Sequence, residues 1–451
     1  MELKQFHPAA REAIELHARR VLASAERESG AREPSRGFSP DFFAKLTLTE
    51  KDIVGPLVMR EGSKEAGNLS LSIADPDAVL TLKGRALEDF DSLLDRLFKV
   101  PWIETALSRE WIANNVLNWM LQQEKESPEE HSYVEYLASA MAKVVRQEEI
   151  WVPIAGLSIE SSFEIAGLPI HPLTQASLDR WWSQLVQHVP PESQEGASAK
   201  FKRLRERTQG YCAVVVKTES ERGRGIEMAQ EAADRAIGLL RIFLPESASP
   251  SQTIVCRPLG QEYQPSFELL VERDGELVGR HSGILGNRPG WVTLSNSRLE
   301  QLSKFGLTEG SKMLRSDTPT EFQSTLMRSL AIYSRVSISI SPLDKLVFLL
   351  AALETLLLET QTEPIQSTVG DRLAFFLARA QEERRKIVLL TRESYGARSR
   401  YLHHGSESIP QEGLTEFFRY CWMFFHRVTR MNQRWATRAE LIETLNQVKY
   451  S

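Results

Sequence analysis

The stretch 346–358, LVFLLAALETLLL, decides how the C-terminal third of this 451-residue chain folds. It is almost wholly apolar, yet its 13 residues fall short of the ~20 that a bilayer span needs, and it carries Glu354. It therefore reads as a core helix rather than a membrane segment. Its start is written just upstream. In Ser341–Pro342–Leu343–Asp344 the serine caps, the proline takes the first turn and the aspartate sits near the positive helix end. The helix is expected to run to about Glu359.

Outward from this segment the apolar residues keep helical spacing. One helix is expected over 318–335, and others over 371–380, 382–395, 412–432 and 439–448. Thr437 and Glu440 have capping-box spacing before the last of these. Five or six helices with short connections make 318–451 an antiparallel helical bundle. The texture of 150–315 differs. IWVPIAGLSI and SSFEIAGLPIHPL are short β-branched runs broken by Gly and Pro, as in a hairpin, and YCAVVVK, TIVCRPL, SFELLVER and GELVGR have strand character. A Trp-rich helix over 178–189 and a long one over 227–243, with an alanine stripe at 229, 232, 233 and 236, complete a central mixed α/β domain. Residues 1–149 read as mainly helical, over 9–25, 87–97, 111–121 and 133–145. They also hold strand pieces in 70–82 and a breaker-rich linker at 30–40. The fold class is α+β multidomain, divided as 1–149, 150–315 and 318–451.

Composition excludes several classes of protein. With 42% hydrophobic and 25% charged residues the chain is neither disordered nor fibrous. The three cysteines, Cys212, Cys256 and Cys421, form no CxxC, which argues against a disulfide framework or structural zinc and fits a reducing cytoplasm. The charged N-terminus lacks the apolar core of a signal peptide. Net charge is −5, from 55 basic and 60 acidic residues, so a whole-chain nucleic-acid coat is excluded and a local basic site is not. Residues 341–451 counted alone have 15 Lys and Arg against 13 Asp and Glu, or +2.

The densest polar cluster follows the helix that starts at 382: Tyr395–Gly396–Ala397–Arg398–Ser399–Arg400–Tyr401–Leu402–His403–His404–Gly405. Arginine offers a permanent planar charge that binds phosphate bidentately. Histidine exchanges a proton near neutral pH. Together they suffice for RNA cleavage without a metal, one activating the 2′-hydroxyl and the other stabilising charge on the phosphoryl oxygens. Arg400 lies three and four residues before His403 and His404, on one helical face, and Gly405 is placed to end the helix. The bland alternative is a polar helix end whose histidines cap carbonyls.

Several segments together resemble the HEPN superfamily, particularly its Apea-like branch. They are Ala352–Leu353–Glu354, Asp371–Arg372–Leu373–Ala374, Glu383–Arg384, and Tyr395 to Ser399 followed by the histidines, with Arg398 and His403 at R-x4-H spacing. The resemblance covers about 318–451. The branch has His directly before Gly, whereas two histidines precede Gly405 here. Tyr395, Arg398 and Ser399 fix the frame in favour of His403, with His404 as the alternative. The resemblance implies an endoribonuclease that needs no cofactor and no metal, and a homodimer formed through the C-terminal helices. Arg398 positions the scissile phosphate, His403 acts as base or acid, and Glu354 is structural or orients the arginine. It implies a prokaryotic defence or toxin context, with the N-terminal region sensing a trigger or restraining the nuclease. Members that have lost catalysis act as binding or dimerisation modules, which is the alternative for this chain.

A second cluster bears on RNA as partner. Between Arg419 and Ala439 there are five arginines and no acid. Arg427, Arg430 and Arg434 recur at helical spacing among Trp422, Phe424, Phe425, His426 and Trp435. Arginines neutralise phosphate and aromatics stack on bases; the alternative is a core-facing aromatic stripe behind a solvated arginine face. Elsewhere, Gly223 and Gly225 invite a dinucleotide reading, but Met228 stands where the third glycine belongs, so Arg222–Gly225 reads as a basic loop. His171, His188 and His281 show no metal spacing, and no G-x-S-x-G element is present.

Overall fold

The computed structural model describes residues 7–28, 57–61, 70–75, 78–125, 132–254, 256–261, 266–273, 276–284, 291–360, 362–405 and 411–450. The linker read at 30–40 lies outside them. The protein is mixed α+β and divides into two compact units, Met1–Glu149 with Lys217–Met228, and Ile150–Val216 with Ala229–Ser451.

In the first unit the helix Arg85–Phe98 shows why the segment folds. Ala86, Phe90, Leu93, Leu94 and Leu97 recur on one face and are buried, while the acids and arginines between them face out. Its core gathers Phe90, Trp119 and Tyr133, the last two edge-to-face at 5.2 Å. Strand content exceeds the sequence reading: Glu26–Glu28, Ala78–Lys83, Ser70–Asp75 and Leu57–Glu61 form a four-stranded antiparallel sheet in that order. The expected basic loop at Arg222–Gly225 is instead the first turn of a helix, Arg222–Phe243. The Glu221 carboxylate accepts hydrogen bonds from the Gly223 and Arg224 amides, so those donors are already satisfied.

A five-stranded sheet, most of whose residues belong to the second unit, is ordered Arg257–Pro258, Arg146–Ala155, Cys212–Ser220, Leu168–Pro172, Phe163–Ile165. The SSFEIAGLPIHPL hairpin turns on Ala166 and Gly167, both at positive φ (55° and 80°), the primed geometry that matches strand twist. Among the described residues from 321 onward there are six α-helices: Glu321–Ser334, Pro342–Leu357, Ile365–Leu377, Gln381–His404, Gln411–Arg430 and Arg438–Tyr450. Ser341 caps the second as its sequence suggests, its side chain accepting from the Leu343 and Asp344 amides. At the last, Thr437 accepts from the Glu440 amide, while the Glu440 carboxylate reaches Ala436 rather than completing the box. A full capping box unread in the sequence, Thr320 with Gln323, starts the first.

One continuous core runs through this unit, from Val152 on the sheet to Leu445 on the last helix. The expected boundary at 315–318 falls inside it. Phe243 lies 4.9 Å from His426, Phe305 5.6 Å from Trp422, and the Ile254 amide donates to the Ser337 carbonyl at 2.7 Å. At its centre Tyr333 stacks on Phe425 at 4.3 Å. Replacing Phe425 by Ala is expected to remove about 3–5 kcal/mol from the unfolding of this unit. Denaturant titration of the full chain measures it, and a loss under about 1 kcal/mol would contradict the packing.

Candidate functional site

The site begins with the burial of the leucine-rich helix. Leu346, Leu349, Leu350, Leu353, Leu356 and Leu357 are all buried, and so is Lys345, whose ammonium donates to the Gln252 carbonyl. Burial pushes Lys345 down to about 8. Glu354 is the carboxylate left on this helix above the charged first turn, and the helix Gln381–His404 supplies its partners.

Tyr395 and Arg398 stand three residues apart on Gln381–His404, on one side of it. The Tyr395 hydroxyl donates to Glu354 Oε1 at 3.0 Å, and Arg398 Nη1 donates to the same oxygen at 2.8 Å. Burial, reinforced by the Glu354 charge, pushes the Tyr395 phenol above its ordinary range, so it stays a donor. The Arg398 side chain is 27% exposed and its Nε is buried with no hydrogen-bond partner. Nearer the end of the same helix, Tyr401 donates to Asp344 at 2.9 Å. Contacts 354–398 and 344–401 run in opposite senses, so the two helices are antiparallel.

The histidines lie elsewhere. The helix runs through to His404, and Gly405, at φ 62°, ends it where its sequence suggests, with its amide on the Tyr401 carbonyl. Ser399, Arg400, His403 and His404 are all exposed. Arg398 and His403 are five residues apart on a regular helix, hence ~140° apart around it and ~7.5 Å along it. The described contacts do not join them. Arg400, by contrast, shares the solvent face of His403 and His404.

In the second cluster the aromatics go to the core. Phe424, Phe425 and Trp435 are buried, and Trp422 packs against Phe305 and His426, its ring centroid 3.8 Å from that of the imidazole. They are not a stacking platform for bases. Arg419, Arg427, Arg430 and Arg434 are exposed and Arg438 is half-buried, and two of the five have structural work. Arg427 donates to the Leu377 carbonyl at the end of one helix, and Arg438 to the Thr355 and Glu359 carbonyls at the end of another. The stem of Arg430 lies over Gly306, where an added Cβ would come within 2.9 Å of it. Arg434 lines an open groove together with Glu359, Glu440 and Glu443.

Sequence reasoning missed Arg241, which is almost fully buried. The signal was available: AIGLLRIFL is an apolar run holding one cation, the same kind of anomaly as Glu354 in LVFLLAALETLLL. Among the described residues no group of three or more His, Cys, Asp or Glu is placed to hold a metal, and no helix is long and apolar enough to cross a membrane. No protein-family model, curated protein or solved structure matches the chain.

His426, read above among residues that could face RNA, is buried against Phe243, Phe305 and Trp422, and this burial pushes it down to about 4. Its folded pKa thus lies below the ~6.5 of an unfolded histidine. The stability tied to neutral His426 is complete above pH ~6.5 and is lost as pH falls toward ~4, by about 3 kcal/mol. Denaturant unfolding at pH ~7 and ~4.5 measures the loss. His426→Phe is expected to shrink it, and an unchanged loss in that variant would contradict the assignment.

Proposed function

We propose that this chain is a metal-independent endoribonuclease of the HEPN type, built on Arg398 and His403. The observation that carries the reading is the clamp on Arg398. Glu354, itself held by the Tyr395 hydroxyl, fixes one edge of a guanidinium that remains partly open to solvent, on the helix that ends in the exposed pair His403 and His404. A fixed guanidinium is suited to a phosphate, because its geometry is set before the ligand arrives.

In this reading a histidine takes the proton of the ribose 2′-hydroxyl and the 2′-oxygen attacks phosphorus. The bond to the 5′-oxygen breaks, and that oxygen receives a proton from a protonated histidine. The products are a 2′,3′-cyclic phosphate and a free 5′-hydroxyl. Arg398 neutralises the extra charge on the phosphoryl oxygens. Because Arg398 and His403 face different sides of one helix, the reading calls for a homodimer in which each chain's arginine meets the other's histidine. Arg400, Arg427, Arg430 and Arg434 are the exposed cations available to the RNA backbone. The residues up to about 310 are assigned to sensing or restraint.

The Glu354–Arg398 ion pair also favours a second reading, because a guanidinium already neutralised in the single chain suits a non-catalytic RNA-binding or dimerisation module. Cleavage of single-stranded RNA in EDTA separates the two. Arg398→Ala and His403→Ala are each expected to lower the rate about 100-fold or more, with His404→Ala far milder. Equal cleavage by all variants would overturn the catalytic assignment. RNA binding without cleavage, kept in His403→Ala and lost in Arg427→Glu/Arg430→Glu, would favour the module.

A further inference from the structure

The second unit contains a cavity of about 750 Å³, a size within the ~300–1,000 Å³ usual for small-molecule sites. Its walls come from the helices Arg222–Phe243 and Glu321–Ser334 and from the turn of the Phe163–Ile165/Leu168–Pro172 hairpin. Among the described residues five arginines line it, Arg235, Arg241, Arg257, Arg328 and Arg335, against one acid, Asp234. Five guanidiniums gathered at one cavity repel one another, and a protein of net charge −5 has acids in plenty to place among them. Among the described residues Asp234 is the acid so placed.

The arginines are graded by depth. Arg235, Arg328 and Arg335 are exposed, Arg257 is half-buried and Arg241 is 1% exposed. Arg241 is also incompletely satisfied. Its Nη1 donates to the Cys256 carbonyl at 2.6 Å, its Nη2 stands 3.7 Å from the largely exposed Asp234 carboxylate, and its Nε is buried without a partner. A buried guanidinium with one neutral acceptor and a distant, solvated counter-ion is costly, and a bound anion would offset that cost. Most of the remaining wall is apolar, with Leu168, Leu239, Met327 and Leu330 among it, beside Gln261 and Ser334.

We infer that this cavity binds a small organic phosphate, a phosphomonoester attached to an apolar or aromatic body. Several arginines lining one cavity match the dianionic charge and the multiple acceptor oxygens of a phosphomonoester, which a single carboxylate does not supply. The apolar wall is sized for the body that carries it. Glu354, Tyr395, Arg398, His403 and His404 do not line the cavity, so this site stands or falls independently of the ribonuclease reading.

Calorimetric titration of the full chain with AMP and with phenyl phosphate tests it, with adenosine and inorganic phosphate as controls. At least one of the two organic phosphates is expected to saturate a single site per chain, more tightly than inorganic phosphate, while adenosine gives no signal. Arg328→Ala and Arg335→Ala alter exposed side chains and leave the buried arginine in place. Each is expected to weaken binding about tenfold or more with an unchanged circular dichroism spectrum. Arg241→Ala is expected to abolish binding; should that variant not fold, the two rim variants decide. Failure of both AMP and phenyl phosphate to saturate would overturn the assignment. So would equal affinity for inorganic phosphate, or wild-type affinity in both rim variants.

Discussion

A carboxylate on a helix packed among leucines must find donors or lose its charge, and Glu354 finds two on one neighbouring helix. This requirement fixes more than a local contact. Tyr395 and Arg398 can both reach Oε1 only if the helix Gln381–His404 is antiparallel to Pro342–Leu357 and rotated so that this side faces inward. That rotation buries Ile387, Leu390, Thr391, Ser394 and Ala397 and turns Arg400, His403 and His404 to solvent. One ion pair thereby sets which groups of the polar cluster are held and which are free to meet a ligand.

The arginines of the second unit divide by the same logic. Several end as caps where helices expose carbonyls: Arg372 on Leu357, Arg384 on Ala378, Arg427 on Leu377 and Arg438 on Thr355. Cations at helix C-termini are favourable because the unpaired carbonyls carry partial negative charge. At the 750 Å³ cavity Arg257 donates to the Gln261 carbonyl and Arg328 to the Thr325 hydroxyl, whereas Arg241 keeps an orphaned donor.

What the sequence makes legible is what is local. The leucine helix, its Ser341 cap and the hairpin at Ala166–Gly167 depend on spacing and turn chemistry, and all stand in the structure. The anomaly of Glu354 was visible as one charge in an apolar run, and the resemblance singled out Tyr395 and Arg398. What could not be read is non-local. Periodicity gives a helix its faces but not its partners, so the boundary at 315–318 disappears into a core completed by Phe243, Phe305 and the last helices. Phe424, Phe425 and His426 could equally have faced bases or a core, since an aromatic at helical spacing serves both. The helical face of Arg400, His403 and His404 and the end at Gly405 were readable from spacing, whereas the contact of Tyr401 with Asp344 was not.

The central claim is that Glu354 holds Arg398 in place. A double-mutant cycle with Glu354→Gln and Arg398→Met, followed by denaturant unfolding, measures that link directly. The pair is partly buried and shares an oxygen with Tyr395, so a coupling of about 1–3 kcal/mol is expected. Additive single-variant losses, within about 0.3 kcal/mol, would contradict it.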